Sequence, residues 1–325
     1  AIYSLIAVIK TSHFDIYFFR DARLIINLIT LMCLISIQSN EVLITASKLL
    51  LVTLFSALSS ITYALLFQSG FFIFDDEFYI KNSYRYFAIS SYFCFGFIAF
   101  CNFLPLYCRR GILYYLVLIS SLAAVILTGF RMMAFVAISL FILTNIKSKR
   151  TLSFGMSVVF VVLLFLIVGI PDEFTHASSF ARIINLSPEL MIYNLQSRYG
   201  PFFVEFSKFQ PYELYFGGGF GQTFEIPWFN YRETKDVVSN SIDNTYLTLY
   251  AKFGLFSALL LTIYMYAYSR ILEPRRIGVV LMVAFSLCLM WLVYAIPYQM
   301  TSIGLALSLF AIGSAMQIHK NSIKR

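Results

Sequence analysis

An all-α fold, a multi-pass transmembrane helical bundle of about ten spans, is predicted by three observations on this sequence. Of its 325 residues, 60% are hydrophobic and only 12% charged, with a mean hydropathy of +0.79, a composition foreign to water-soluble domains. Apolar runs of about 17 to 25 residues recur along the whole length, each long enough to cross a hydrocarbon core roughly 30 Å thick. Strand-length segments of alternating polarity, which a membrane barrel requires, are absent.

In chain order, residues 1–9 form a partial apolar run that opens at Ala1 without an initiator Met or a cleavage site. This predicts a fragment of a longer chain rather than a signal peptide. Spans follow at 24–38, 43–68 and 86–104. The next two, 112–128 and 131–146, are inferred from charge. Basic clusters at Arg109-Arg110 and at Lys147, Lys149 and Arg150 flank a 36-residue segment, and both belong in the cytoplasm by the positive-inside rule. The chain must therefore cross, turn and return between them. The turn falls at LTGFR, residues 127–131, where Gly129 supplies the bend and Arg131 is left at or just below the outer surface, either as a functional residue or snorkelling to the outer headgroups. A further span at 152–170 leads outward, and spans at 246–268, 278–296 and 302–318 complete the bundle. The clusters Arg270/Arg275/Arg276 and Lys320/Lys324/Arg325 fall inside on the same rule. The first two spans fit that rule less well, since Lys10, Arg20 and Arg23 would face outward, which leaves the topology before residue 40 open.

The whole chain, 1–325, thus reads as one polytopic membrane domain, with residues 171–245 inserted as a 75-residue external loop. That loop carries Arg182, Arg198, Lys208, Arg232 and Lys235 against nine acids, interspersed with Phe and Tyr. It is too apolar for a disordered linker. Segments 188–195 and 202–209 have apolar residues at helical spacing, predicting amphipathic helices on the membrane or over a cavity. Pro211 and the run GGGFG at 217–221 end helical order.

Several chemistries are disfavoured. Cys33, Cys94, Cys101, Cys108 and Cys288 lie in or beside predicted spans without metal-ligand spacing, and His13, His176 and His319 are far apart, so no metal site and no cofactor is expected. The formal net charge of +8 reports basic residues beside cytoplasmic headgroups rather than a nucleic-acid surface. The candidates for chemistry gather instead at one membrane face: Arg131 in its tight turn, Arg198 ahead of a helix and the glycine run, and Asp243-Asn244 at the threshold of span 246–268. The external acidic run Asp75-Asp76-Glu77 reads as a solvated loop. Gly219 and Gly221 allow close backbone approach to a ligand, or form a flexible loop end. Glu205, seven residues past Arg198, either orients that arginine or faces solvent.

The run SRYGPFFVEFSKFQPYELYFGGGFG, residues 197–221, resembles the outer loop of the O-antigen polymerase and O-antigen ligase superfamily. DNTYL at 243–247, followed by Gly254, is similar to that superfamily's "His/Asp-Asn-x-x-Leu … Gly" pattern, and LTGFR at 127–131 resembles its short "T-G-x-R" turn. The resemblance covers about residues 112–268. It implies a GT-C-like, inverting, metal-independent glycosyltransferase in the bacterial inner membrane. Its site would face the periplasm, with undecaprenyl-pyrophosphate-linked oligosaccharide as donor and acceptor. A polysaccharide chain-length regulator and a flippase are the implied protein partners, alongside membrane lipid. Arg131 and Arg198 would take the role of the arginines that hold the pyrophosphate. Planar guanidinium forks suit phosphate oxygens independently of any resemblance.

Ligases of the superfamily commonly carry His where this chain has Asp243, which favours a polymerase of repeat units over a ligase acting on lipid A core. Asp243 suits an acceptor-sugar hydroxyl better than a phosphate, whereas Asp243 or Asn244 could equally cap the helix that follows. His176 is a candidate to stand in for the missing His, or a solvated loop residue. A lipid-linked glycan transporter is the rival of another class, and it would place charged residues and broken helices within the bilayer.

Overall fold

The structure, a computed structural model, describes residues 16–39, 44–68, 88–104, 109, 111–128, 131–145, 199–225, 238–242, 244–272, 283–284, 287–288, 291 and 302–324. Its helices are α1 (Ile16–Ser39), α2 (Ala46–Gln68), α3 (Ile89–Phe100), α4 (Ile112–Leu127), α5 (Arg131–Asn145), α6 (Pro211–Phe216), α7 (Thr245–Phe253), α8 (Phe256–Leu272) and α9 (Ile303–Lys324). A 3-10 turn, Cys101–Phe103, extends α3, and residues 199–206 are also helical. A short antiparallel pair joins β1 (Phe224–Glu225) to β2 (Val238–Ser239), with Phe224 opposite Ser239 and Glu225 opposite Val238.

The protein is therefore mostly helical. Among the described residues one helix is long and apolar enough to cross a membrane: Ala46–Leu66 of α2, 21 residues, which rise about 31 Å. Shorter apolar helices are Ile89–Phe103, Ile112–Leu127, Phe256–Leu272 and Ile303–Ile318. The predicted spans 1–9 and 152–170, most of 278–296, and residues 69–87 and 171–198 lie outside the described residues.

Two predicted spans have different bounds in the structure. The helix predicted at 24–38 begins at Ile16, so Arg20, Asp21 and Arg23 are helical. The predicted span 246–268 is two helices, divided at Gly254-Leu255. Gly254 adopts φ +54°, and a Cβ there would lie 2.2 Å from the Tyr215 carbonyl oxygen. Helix α7 must end where another segment's backbone occupies the space that its next side chain would need.

The described residues fall into two compact units. One is drawn from 33–188, 270–275 and 301–325. Its middle is α3, where every residue from Ser91 to Phe100 is buried, because α2, α4, α5 and α9 all pack on it. A helix apolar on all sides is stable only when surrounded. Small residues let α9 approach: a Cβ on Gly96 would lie 2.8 Å from Ser308 Cβ, and one on Gly304 only 2.0 Å from the Ile89 carbonyl oxygen. Beyond α3, the Asn102 side-chain amide donates to the Phe141 carbonyl at 3.0 Å, tying the turn to α5. The outward side of α4 carries Ile112, Tyr115, Leu116 and Ile119.

The other unit is drawn from 1–32, 189–269 and 276–300. It holds most of α1, the helical residues 199–206, α6, the β pair, α7 and most of α8. Phe202, Phe224, Ile242 and Ala251 form its buried cluster, with Phe206, Phe209, Leu247 and Tyr250 packed against it.

Candidate functional site

The second unit organises itself around the C-terminal end of α7. Any helix leaves its last carbonyls without intrahelical donors, and here a segment distant in sequence supplies them. Gly218 N–H donates to the Ala251 carbonyl at 2.7 Å and Gly219 N–H to the Lys252 carbonyl at 2.9 Å. Helix α6 delivers the glycine turn: Pro211 opens it, the Gln210 N–H is held by the Glu213 carboxylate at 2.8 Å, and the Gly217 N–H returns to the Glu213 carbonyl. Gly217, Gly219 and Gly221 all have positive φ, of 74°, 86° and 87°. A Cβ on Gly217 would lie 2.2 Å from the Lys252 carbonyl carbon, so a residue with a side chain would both strain the backbone and push the turn off the helix.

A buried ion pair locks this contact. Lys252 and Asp21 are both fully buried side chains. The Lys252 ammonium donates to Asp21 Oδ1 at 2.7 Å, to Oδ2 at 2.6 Å and to the Gln222 carbonyl at 2.8 Å. Three N–H groups thus meet three acceptors. The carboxylate also accepts from the Gly221 N–H at 2.8 Å and from the Asn240 amide at 3.3 Å. Charge sequestered from water is tolerable only when paired and hydrogen-bonded in this way. The network joins α1, the glycine turn, residue 240 and α7 across 231 positions of sequence.

The other end of α7 is set by Asn244. Its side-chain oxygen accepts the Leu247 N–H at 2.9 Å, and its extended backbone, φ −155° and ψ 118°, is that of an N-cap. Thr248 assists by bridging the Ile242 backbone from its hydroxyl. Phe202 and Phe206, on the helical residues 199–206, lie against the Tyr250 ring at 6.3 and 6.2 Å between centroids. The Tyr250 hydroxyl donates to the Leu214 carbonyl at 3.1 Å. On the far side, Tyr246 meets Trp291 edge-on and donates to the Cys288 carbonyl.

Of the residues singled out by sequence, the structure brings Asn244, Glu205, Gly219 and Gly221 into this one unit. Asn244 is the cap. The Gly219 and Gly221 N–H groups are committed to Lys252 and Asp21, so the close approach these glycines permit is to the protein's own backbone and side chains. Glu205 pairs with Lys208 at 2.8 Å and accepts weakly from the Gln222 amide at 3.4 Å. That hydrogen bond and the Glu205 charge hold the Lys208 ammonium pKa above its ordinary value. Arg131 is the first residue of α5. Its side chain, together with Arg198, Asp243 and His176, lies outside the described residues.

Sequence reasoning passed over Asp21 and Lys252. The available signal was Lys252 itself, a lone cation inside the predicted span 246–268, which the cost of charge in hydrocarbon marks as needing a partner. Its partner, Asp21, stood among basic residues ahead of another span and carried no signal of its own.

No curated protein and no solved structure matches the chain. A family model described as a family of unknown function, DUF6369, matches residues 31–322, nearly the full length, and the chain belongs to that family.

Proposed function

We propose that this protein is an inverting, GT-C-like glycosyltransferase of the bacterial inner membrane. It would lie in a bundle of about ten spans and polymerise undecaprenyl-pyrophosphate-linked repeat units on the periplasmic face. The observation that carries this reading is the convergence of two sequence segments, 197–221 and 243–254, that resemble the O-antigen polymerase and ligase superfamily. The helical residues 199–206, the glycine turn 217–221 and the capped helix α7 pack on one another in a single unit. Asp243, next to the cap, and Arg198, next to residue 199, adjoin elements that this packing fixes. The outward apolar faces of α2 and α4 support the membrane setting.

In this reading Arg131 and Arg198 bind the pyrophosphate oxygens and offset the charge that grows on the leaving group as the anomeric carbon–oxygen bond breaks. Asp243 accepts the proton of the acceptor hydroxyl as its oxygen attacks the opposite face of the anomeric carbon, which inverts the configuration. Asn244 binds the acceptor or fixes the position of Asp243 through its cap. Replacement of either arginine by Ala is expected to lower transfer by about a hundredfold or more, in protein that still inserts and purifies as wild type. Asp243→Asn, which keeps the shape and loses the base, should fall similarly. Wild-type product lengths from all three would remove the proposal.

A second reading, a lipid-linked glycan transporter, is favoured by a specific observation: a helix interrupted at Gly254 beside the buried Asp21–Lys252 pair. It predicts movement of lipid-linked glycan between leaflets without any bond being formed.

A further inference from the structure

Helix α6 and the start of α8 expose a continuous patch that no other described residue covers. Tyr212, Tyr215 and Phe216 share the outer side of α6, Leu255 directly precedes α8, and Phe256 and Leu259 lie in its first turn, with exposure running from 39% at Phe216 to 61% at Leu255. The two groups are one surface. The Phe216 and Phe256 rings stack at 6.1 Å between centroids, and the Leu255 N–H donates to the Tyr215 carbonyl at 3.0 Å. No charged side chain stands among these six residues. Glu213, the acid of α6, is turned inward and buried against the Gln210 backbone. Along α8 the patch continues into Thr262 and Tyr266, and the exposed Thr262 hydroxyl donates to the Ala258 carbonyl of its own helix at 2.8 Å.

We infer that this patch lies in the boundary between the headgroups and acyl chains of a lipid bilayer, seating the glycine turn and the end of α7 at the membrane surface. Tyrosines with exposed rings, neighbouring Phe and Leu, and no charge make the composition of an interfacial aromatic belt. The patch stands where such a belt belongs, at one end of a 17-residue apolar helix. A water-facing surface of this extent would carry charge, and a protein partner would leave the apolar face of α8 beyond it unexplained. The inference rests on the membrane setting proposed above, though not on the reaction.

The test uses the full chain in liposomes, in a Trp228→Phe, Trp291→Phe background, with one new indole introduced at a time by Tyr215→Trp or Phe256→Trp. Lipids brominated near the glycerol end of their acyl chains should reduce each emission by about half, while aqueous iodide leaves both nearly unchanged. Quenching by iodide instead, or by neither agent as under a covering protein, would overturn the inference. Phe55→Trp, on the exposed side of α2, separates the two proposals. Its emission should fall with lipids brominated near the chain ends; if it does not, the membrane setting itself fails, whereas a quenched indole at 55 beside unquenched ones at 215 and 256 removes only the patch. Lys208→Trp serves as the iodide-accessible reference.

Discussion

Lys252 and Asp21 show how a single pair of residues can decide whether a turn stays docked. With both side chains sealed from water, removing one partner leaves an uncompensated charge or an unsatisfied polar group. Lys252→Met should therefore destabilise the protein by about 3–5 kcal/mol, and adding Asp21→Asn to it should recover part of that loss because no buried carboxylate is left alone. Denaturant unfolding of the detergent-solubilised single and double variants measures both. The glycines sort in the same way. Gly217→Ala meets the Lys252 carbonyl and a positive φ and should cost about 1–3 kcal/mol. Gly200→Ala, where a Cβ would meet nothing within 4 Å, should be neutral or stabilising by up to about 1 kcal/mol. Equal effects at the two positions would contradict the docking of the turn as the reason for the glycine run.

At the scale of elements, α7 is held at both ends by groups from outside it: Asn244 at its start, Gly218 and Gly219 at its end. Asn244→Ala should cost about 1 kcal/mol, and Asn244→Asp, which keeps an acceptor, much less. A transferase that lost activity with Asn244→Asp while keeping its stability would show that Asn244 does more than cap. The elements were legible in the sequence to the extent that local pattern determines them. The apolar runs foretold α2, α3, α4, α5 and α9, and the Asp-Asn pair ahead of Thr245 foretold a cap. The break at Gly254 was not legible, because a single glycine inside an apolar run is ordinarily tolerated in a helix; what ends α7 is the Tyr215 carbonyl, a neighbour in space alone. The helical conformation of residues 16–23 was hidden for the converse reason. Arg20, Asp21 and Arg23 look like a polar flank until Lys252 is known to receive Asp21.

For the molecule as a whole, the apolar composition, one helix long and apolar enough to cross a membrane, and the outward apolar faces of α2 and α4 support the proposed membrane setting. The fold brings two of the three sequence segments that suggested a glycosyltransferase, 197–221 and 243–254, into one unit. The third, LTGFR, ends in Arg131, the first residue of α5, in the other. The candidate site was readable only as short motifs, since its arginines and Asp243 gain meaning from substrate chemistry rather than from packing, whereas the Asp21–Lys252 lock is purely a product of folding. The most direct measurement is incubation of the purified protein with the lipid-linked repeat unit of its own host, with and without a chelator, resolving products by size. The account predicts a ladder of products that survives chelation. No bond formation in folded protein, with or without lipid A core as acceptor, would contradict it.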